Sequence, residues 1–364
     1  MQLDFVDQMS LLTFPFFRVA GTLLLALASA LLCVWLKTPL PWMIGPLLAT
    51  GVASVLRART ESWAPLRNFG QCTIGIALGL YFTPQVTALV LSLWWAIALG
   101  IVWALALGWG FGYWLQRMNA HHLSGGLHRA TTWFAGAIGG ASEMTLLAER
   151  AGGRTDLVAA AHSLRLLLVT VLVPFGMQFS GLHGLDVLPP TVRLVHWGGL
   201  VLLFGLAGVS AWVMARLDRA NPWFIGALLV SMAFAMADLQ LSALPVWLSN
   251  TAQLLIGVSL GVRFTPAFVH TAPRWLGTVA VGTLVLLAVC AALALSMAWL
   301  TGLHPATMVL ATAPGGIAEM SITAKVLQLG APVVTAFQVC RLMAVLLLVE
   351  PVFRWRDRRR PRLG

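Results

Sequence analysis

The run "VAGTLLLALASALLCVWL", residues 19–36, has no charge in eighteen positions, and runs like it follow one another almost to the end of the chain. A hydrocarbon core about 30 Å thick needs roughly 20 apolar residues per helix. Of 364 residues 59% are hydrophobic and only 10% charged, too few polar groups to cover a water-facing surface, and no stretch between the runs makes a soluble domain. The chain therefore reads as an all-α polytopic membrane protein whose first partner is the lipid bilayer. The leader "MQLDFVDQ" has two acids and no basic region, so the first run reads as a retained span.

The order of the runs repeats. "PWMIGPLL" (41–48) returns as "PWFIGALL" (222–229), and "QCTIGIALGLYFTP" (71–84) as "QLLIGVSLGVRFTP" (253–266). "GGASEM" (139–144) returns as "GGIAEM" (315–320), and Arg165-Leu166 as Arg341-Leu342. The chain is a duplication, with repeats at 14–178 and 190–354 and a basic tail at 355–364. Each repeat holds six apolar segments in the same order.

Basic residues collect in cytoplasmic loops, so they test how often each repeat crosses. If all six segments cross and the tail is inside, six loop cations fall inside and eight outside, against the rule. If each Gly-Gly-Glu segment dips in and returns, eleven fall inside and only Lys37, Arg193 and Lys325 outside. Five crossings is an odd number, so the second repeat is inverted. The expectation is two inverted five-crossing repeats, about ten transmembrane helices, each repeat with a re-entrant or broken helical hairpin. Both termini are cytoplasmic, in a bacterial cytoplasmic membrane. The six arginines Arg354, Arg356, Arg358, Arg359, Arg360 and Arg362 account for much of the +11 net charge as a juxtamembrane anchor and not as a nucleic-acid surface.

The Gly-Gly-Glu segments carry the candidate site. "APGG" splits 304–327 into two pieces, because proline lacks an amide hydrogen and glycine weakens a helix. "AIGG" does the same in the first repeat without the proline, and a softer break is expected there. Irregular backbone at membrane depth must line protein or a water-filled cavity, so Gly139, Gly140, Pro314, Gly315 and Gly316 border a site. Glu143 and Glu319 open the second piece of each, where the helix dipole favours an anion. Arg165 and Arg341 follow them by 22 residues inside apolar spans. Such a charge is paired or functional. Each pair is either a structural Glu–Arg bridge or a contact for an anionic substrate or coupling ion.

Gln71, Gly75 and Gly79, and Gln253, Gly257 and Gly261, each share one helical face. They serve tight helix packing, with the glutamine a ligand group as the alternative. His162 aligns with Gln338, and both are site candidates. His121, His122 and His128 lie in one loop that has no counterpart in the second repeat beyond His304 and that the charge count puts at the cytoplasmic surface, so they read as an exposed basic segment, a metal site being the alternative. The cysteines Cys33, Cys72, Cys290 and Cys340 lie in apolar runs and read as packing residues. No nucleotide, haem or zinc-hydrolase motif stands in context. No cofactor, metal or catalytic residue is assigned.

The paired "PWxIG", "QxxIGxxLGxxFTP" and "GGxxEM" elements, with the following Leu-Arg-Leu span, resemble the bacterial AbrB-type membrane protein family, built from a duplicated module. That family is distinct from the soluble AbrB DNA-binding regulators. The resemblance implies a label of ammonia monooxygenase or of membrane regulator of gene expression, and neither follows from the residues. The residues point to a secondary transporter for a small solute, anions included, coupled to H+ or a cation. A ligand sensor or regulator on the same fold is the alternative, and a metal monooxygenase a third reading. Self-association into a homo-oligomer is left open.

Overall fold

A computed structural model describes residues 3–119, 129–180, 194–239, 241–264 and 273–358, with side chains from residue 16 to residue 355. Among these residues every element is a helix. In the first repeat they are α1 (Leu3–Trp35), α2 (Pro41–Val55), α3 (Ala64–Gly79), α4 (Pro84–Ser92), α5 (Trp94–Asn119), α6 (Arg129–Gly136), α7 (Ala141–Arg150) and α8 (Thr155–Phe179). In the second they are α9 (Trp197–Arg216), α10 (Pro222–Met236), α11 (Val246–Gly261), α12 (Pro273–Thr301), α13 (Pro305–Thr312), α14 (Ile317–Val326) and α15 (Ala331–Arg358).

Equivalent helices match in length: 15 residues in α2 and α10, 16 in α3 and α11, 8 in α6 and α13, 10 in α7 and α14. The turns match too. Non-glycine residues with positive φ recur as Lys37 and Asp218, Leu40 and Asn221, and Arg57 and Asp238, each pair 181 apart (218 − 37, 221 − 40, 238 − 57). A left-handed residue with a Cβ is strained, so its recurrence at the same three places shows one backbone plan used twice.

Among the described residues six helices are long and apolar enough to cross a membrane, three in each repeat: α1, α5 and α8, then α9, α12 and α15. The 15- and 16-residue helices reach only about 22–24 Å at 1.5 Å per residue. The long helices turn apolar side chains outward. On α9, Leu200, Leu203, Ala207 and Ala211 form the buried stripe while Val201 is 73% exposed. On α1, Ala26 and Ala30 are buried and Leu24 is 68% exposed. Bulky apolar side chains turned outward make the surface of a chain immersed in lipid.

The helices form two compact units that cut across the repeats. One holds α1–α3 and α9–α11. Within it α3 packs on α10 and α2 on α11, so each repeat lends a helix to the other in the same way. Glycines make the approach possible: a Cβ on Gly257 would meet Met43 O at 2.5 Å, and one on Gly75 would strike Phe224 O. Gly79 and Gly261 meet α10 and α2 likewise. This is the tight packing expected of that face.

The other unit holds α4–α8 and α12–α15. Here α8 packs on α12 and α15 on α5. Phe134, Leu115, Met144, Val158 and Trp275 fill its core, and Trp275 Nε1 donates to Leu157 O at 3.0 Å. Both Gly-Gly-Glu segments lie in this unit.

Candidate functional site

Each Gly-Gly-Glu segment is broken by four non-helical residues, 137–140 between α6 and α7 and 313–316 between α13 and α14. The first break is as long as the second although it lacks a proline, so the expected softness does not show in its extent. Pro314 is buried in the second break.

A helix ends with four carbonyls that lack intrahelical partners, and at membrane depth water does not supply them. The long helix that follows each break does. Arg165, on α8, donates from Nη1 to Ala135 O at 3.3 Å and Gly136 O at 3.5 Å, and from Nη2 to Ala137 O at 2.8 Å. Its Nη2 also donates to His162 Nδ1 at 2.8 Å, and His162 Nε2 donates to Phe134 O at 2.9 Å. This geometry requires the neutral imidazole protonated on Nε2. Arg341, on α15, donates from Nη1 to Ala313 O at 2.6 Å and from Nη2 to Gly315 O at 2.8 Å. Gln338 Nε2 lies 2.8 Å from Leu310 O, 3.3 Å from Ala311 O and 3.2 Å from Ala313 O. All four side chains are buried, none more than 6% exposed.

The glutamates serve the other side of each break. Gly140 and Gly316 are the N-caps of α7 and α14, which puts Glu143 and Glu319 at the third helical position. A Cβ on Gly140 would collide with Glu143 Oε2, and one on Gly316 with Glu319 Oε2. Each carboxylate therefore folds back over the N-terminus of its own helix, as the acidic member of a capping box does. The preceding glycine makes room for the methionine: a Cβ on Gly139 would lie 2.9 Å from Met144 Cε, and one on Gly315 2.8 Å from Met320 Cγ. The motif Gly-Gly-x-x-Glu-Met thus describes a tight break in which the first glycine clears the methionine and the second clears the carboxylate.

These contacts bear on the bridge weighed for each charged pair. Neither Arg165 nor Arg341 bonds a glutamate. Each guanidinium sits at the negative, C-terminal end of one half-helix and each carboxylate at the positive, N-terminal end of the next, so the charges answer helix dipoles. The arginine role was not legible from spacing, because the acceptors are backbone carbonyls 26 to 30 residues before each arginine, which no side-chain pattern marks. The repeated methionine was legible, as a matched position in both motifs.

The two breaks approach the opposite repeat in this unit. A Cβ on Gly139 would lie 3.1 Å from Val345 Cγ1 on α15, and one on Gly316 3.2 Å from Leu166 Cδ1 on α8. Leu166 follows Arg165 on α8, so the second break packs beside the turn of α8 that caps the first. Beside the first break lies a cavity of about 420 Å³, bordered by Gly108, Trp109, Trp133, Ala137, Ile138 and Val345. Gln71 and Gln253 belong to the other unit, Gln71 half-buried and Gln253 buried. Among the described residues no three His, Cys, Asp or Glu side chains converge on one point. His121, His122 and His128 lie outside the described residues.

Residues 42–357, which include both breaks and all four capping side chains, match the family described as AbrB, transition state regulatory protein AbrB. The chain belongs to the AbrB family. It is similar to "Uncharacterized protein YhjN" of Bacillus subtilis (strain 168), 25% identical over 339 residues, 86% of each chain. It is also similar to "Putative regulator AbrB" of Escherichia coli (strain K12), 28% identical over 223 residues, 60% of this chain and 63% of that protein.

Proposed function

We propose that this AbrB-family protein is a secondary transporter that binds a small solute, with H+ or a cation, at the two breaks, each packed against a long helix of the other repeat. In this reading the repeats are inverted, each crosses five times, and each broken segment is re-entrant, one from each face of a bacterial cytoplasmic membrane. The observation that carries it is the pair of interrupted helices, one from each repeat, gathered in a single unit, with a buried arginine bonded to each break and a buried glutamate on the second. Interrupted helices from inverted repeats are how many secondary transporters build a midplane site. The loop charge count supports the inversion. The name of the Escherichia coli relative favours a second reading, a membrane regulator that binds a ligand without moving it.

Flux separates the two. Proteoliposomes with an entrapped pH dye, challenged with small organic acids, amides, amines and inorganic ions, would show solute-driven proton movement that Glu319→Gln abolishes. If no challenge moves protons or labelled solute in wild-type vesicles, or if Glu319→Gln transports like wild type, the transport reading fails.

A further inference from the structure

The two breaks are built alike but are not satisfied alike. At the first, His162 uses both ring nitrogens and Arg165 bonds three carbonyls and the imidazole. At the second, Gln338 stands where His162 stands, and among the described residues its Oε1 and Arg341 Nε are buried without a partner, as is Ser321 Oγ on α14. Gln338 is 0% exposed and Arg341 6%. The orientation of the amide is fixed by chemistry, because the end that faces Leu310 O, Ala311 O and Ala313 O must be the donor. Through their other atoms both side chains reach the same carbonyl, Ala313 O, so the free acceptor and the free donor belong to neighbouring groups at the break that precedes α14.

We infer that the second break is the solute-binding one, through Gln338 Oε1 and Arg341 Nε, and that it takes the carboxylic-acid or primary-amide end of a small organic molecule. Such a group presents a donor beside an acceptor and matches both atoms at once. A bare oxyanion would set its oxygens against the lone pairs of Gln338 Oε1. An ammonium ion would set its hydrogens against the guanidinium. The first break, closed by His162, is then the structural partner. The charged and titratable groups around the second break are Arg341 itself, Glu319 on α14, Arg165 on α8 and Cys290 on α12. With two arginines and one buried glutamate nearby, an acid entering with its proton needs no further counter-charge. The inference rests on the reading of the breaks as the solute site.

Exchange of the two side chains tests it. Full-length protein in detergent is melted with propionamide, with propionate at about pH 5, with sodium sulfate and with ammonium chloride. Propionamide and propionate are expected to raise the melting temperature by about 2 °C or more at saturation, and the two salts no more than a matched ionic-strength control. Gln338→His, which copies the closed first break, should lose the response; His162→Gln should keep it. Should Gln338→His not fold, hydrogen exchange on wild type gives the same answer, with propionamide slowing exchange in 310–326 and not in 134–150. A response to sulfate or ammonium alone, a Gln338→His protein that still responds, a His162→Gln protein that does not, protection confined to 134–150, or no response to any probe overturns the inference. Because the assay needs no membrane, binding without flux would leave it standing while removing the transport reading.

Discussion

Adding one methyl at Gly316 tests the account of the broken helix. A Cβ there would occupy the position of Glu319 Oε2 and come within 3.2 Å of Leu166 Cδ1. Either the carboxylate leaves the N-terminus of α14 or α14 shifts away from α8. Losing a cap at a helix N-terminus costs about 0.5–2 kcal/mol, and overpacking a filled core about 1–3 kcal/mol. Gly316→Ala should therefore cost about 2–4 kcal/mol. Glu319→Ala alone should cost about 1 kcal/mol or more for the lost cap, with the burial of Glu319 setting the upper end. The double variant should cost less than the sum by about 1–2 kcal/mol, because without the carboxylate the new methyl meets only Leu166. Equilibrium unfolding in mixed micelles, run as a double-mutant cycle, measures this coupling. Additive costs, or a Gly316→Ala protein as stable as wild type, would refute the placement of the carboxylate over the glycine.

Arg165→Lys should destabilise by about 2–4 kcal/mol, since a lysine cannot fork to the carbonyls of residues 135–137 that Arg165 reaches; thermal melts check it, and a neutral outcome would contradict the capping role. Gly75→Val and Gly257→Val should each cost about 3 kcal/mol or more, because the backbones of α10 and α2 stand where the side chain would go. Lys37→Gly and Asp218→Gly, at exposed left-handed positions in equivalent turns, should stabilise by about 0.5–1 kcal/mol each and add independently, as read by the same unfolding experiment.

Much of this was legible in the sequence because duplication makes a chain its own comparison. The places of α2, α3 and the breaks follow from motifs that recur, and the glycine faces at Gly75 and Gly257 follow from spacing. Capping was harder to read. Arg165 looked like the partner of Glu143 because both are charges in an apolar setting, yet the carbonyls at the end of α6 are stronger claimants for a forked donor, and a sequence does not display its unsatisfied backbone. The same limit hides which of many i, i+4 glycine pairs matter. Gly108 and Gly112 on α5 hold the backbone of Gly136 close, and their spacing alone does not rank them above others. Nor does sequence show that each repeat divides its helices between two compact units, because that partition depends on which faces find one another across some 180 residues.

The claim on which the transport reading turns is that each broken segment enters and leaves by the same face of the membrane. Single cysteines placed in a background without Cys33, Cys72, Cys290 and Cys340, and labelled from either side by an impermeant thiol reagent, measure it directly. Cysteines at Arg129 and Gly152, flanking the first break, should both label from the cytoplasm; those at Leu303 and Gln328, flanking the second, should both label from the outside. Opposite-side labelling within either pair would mean that the segment crosses, and that the repeats are not inverted as proposed.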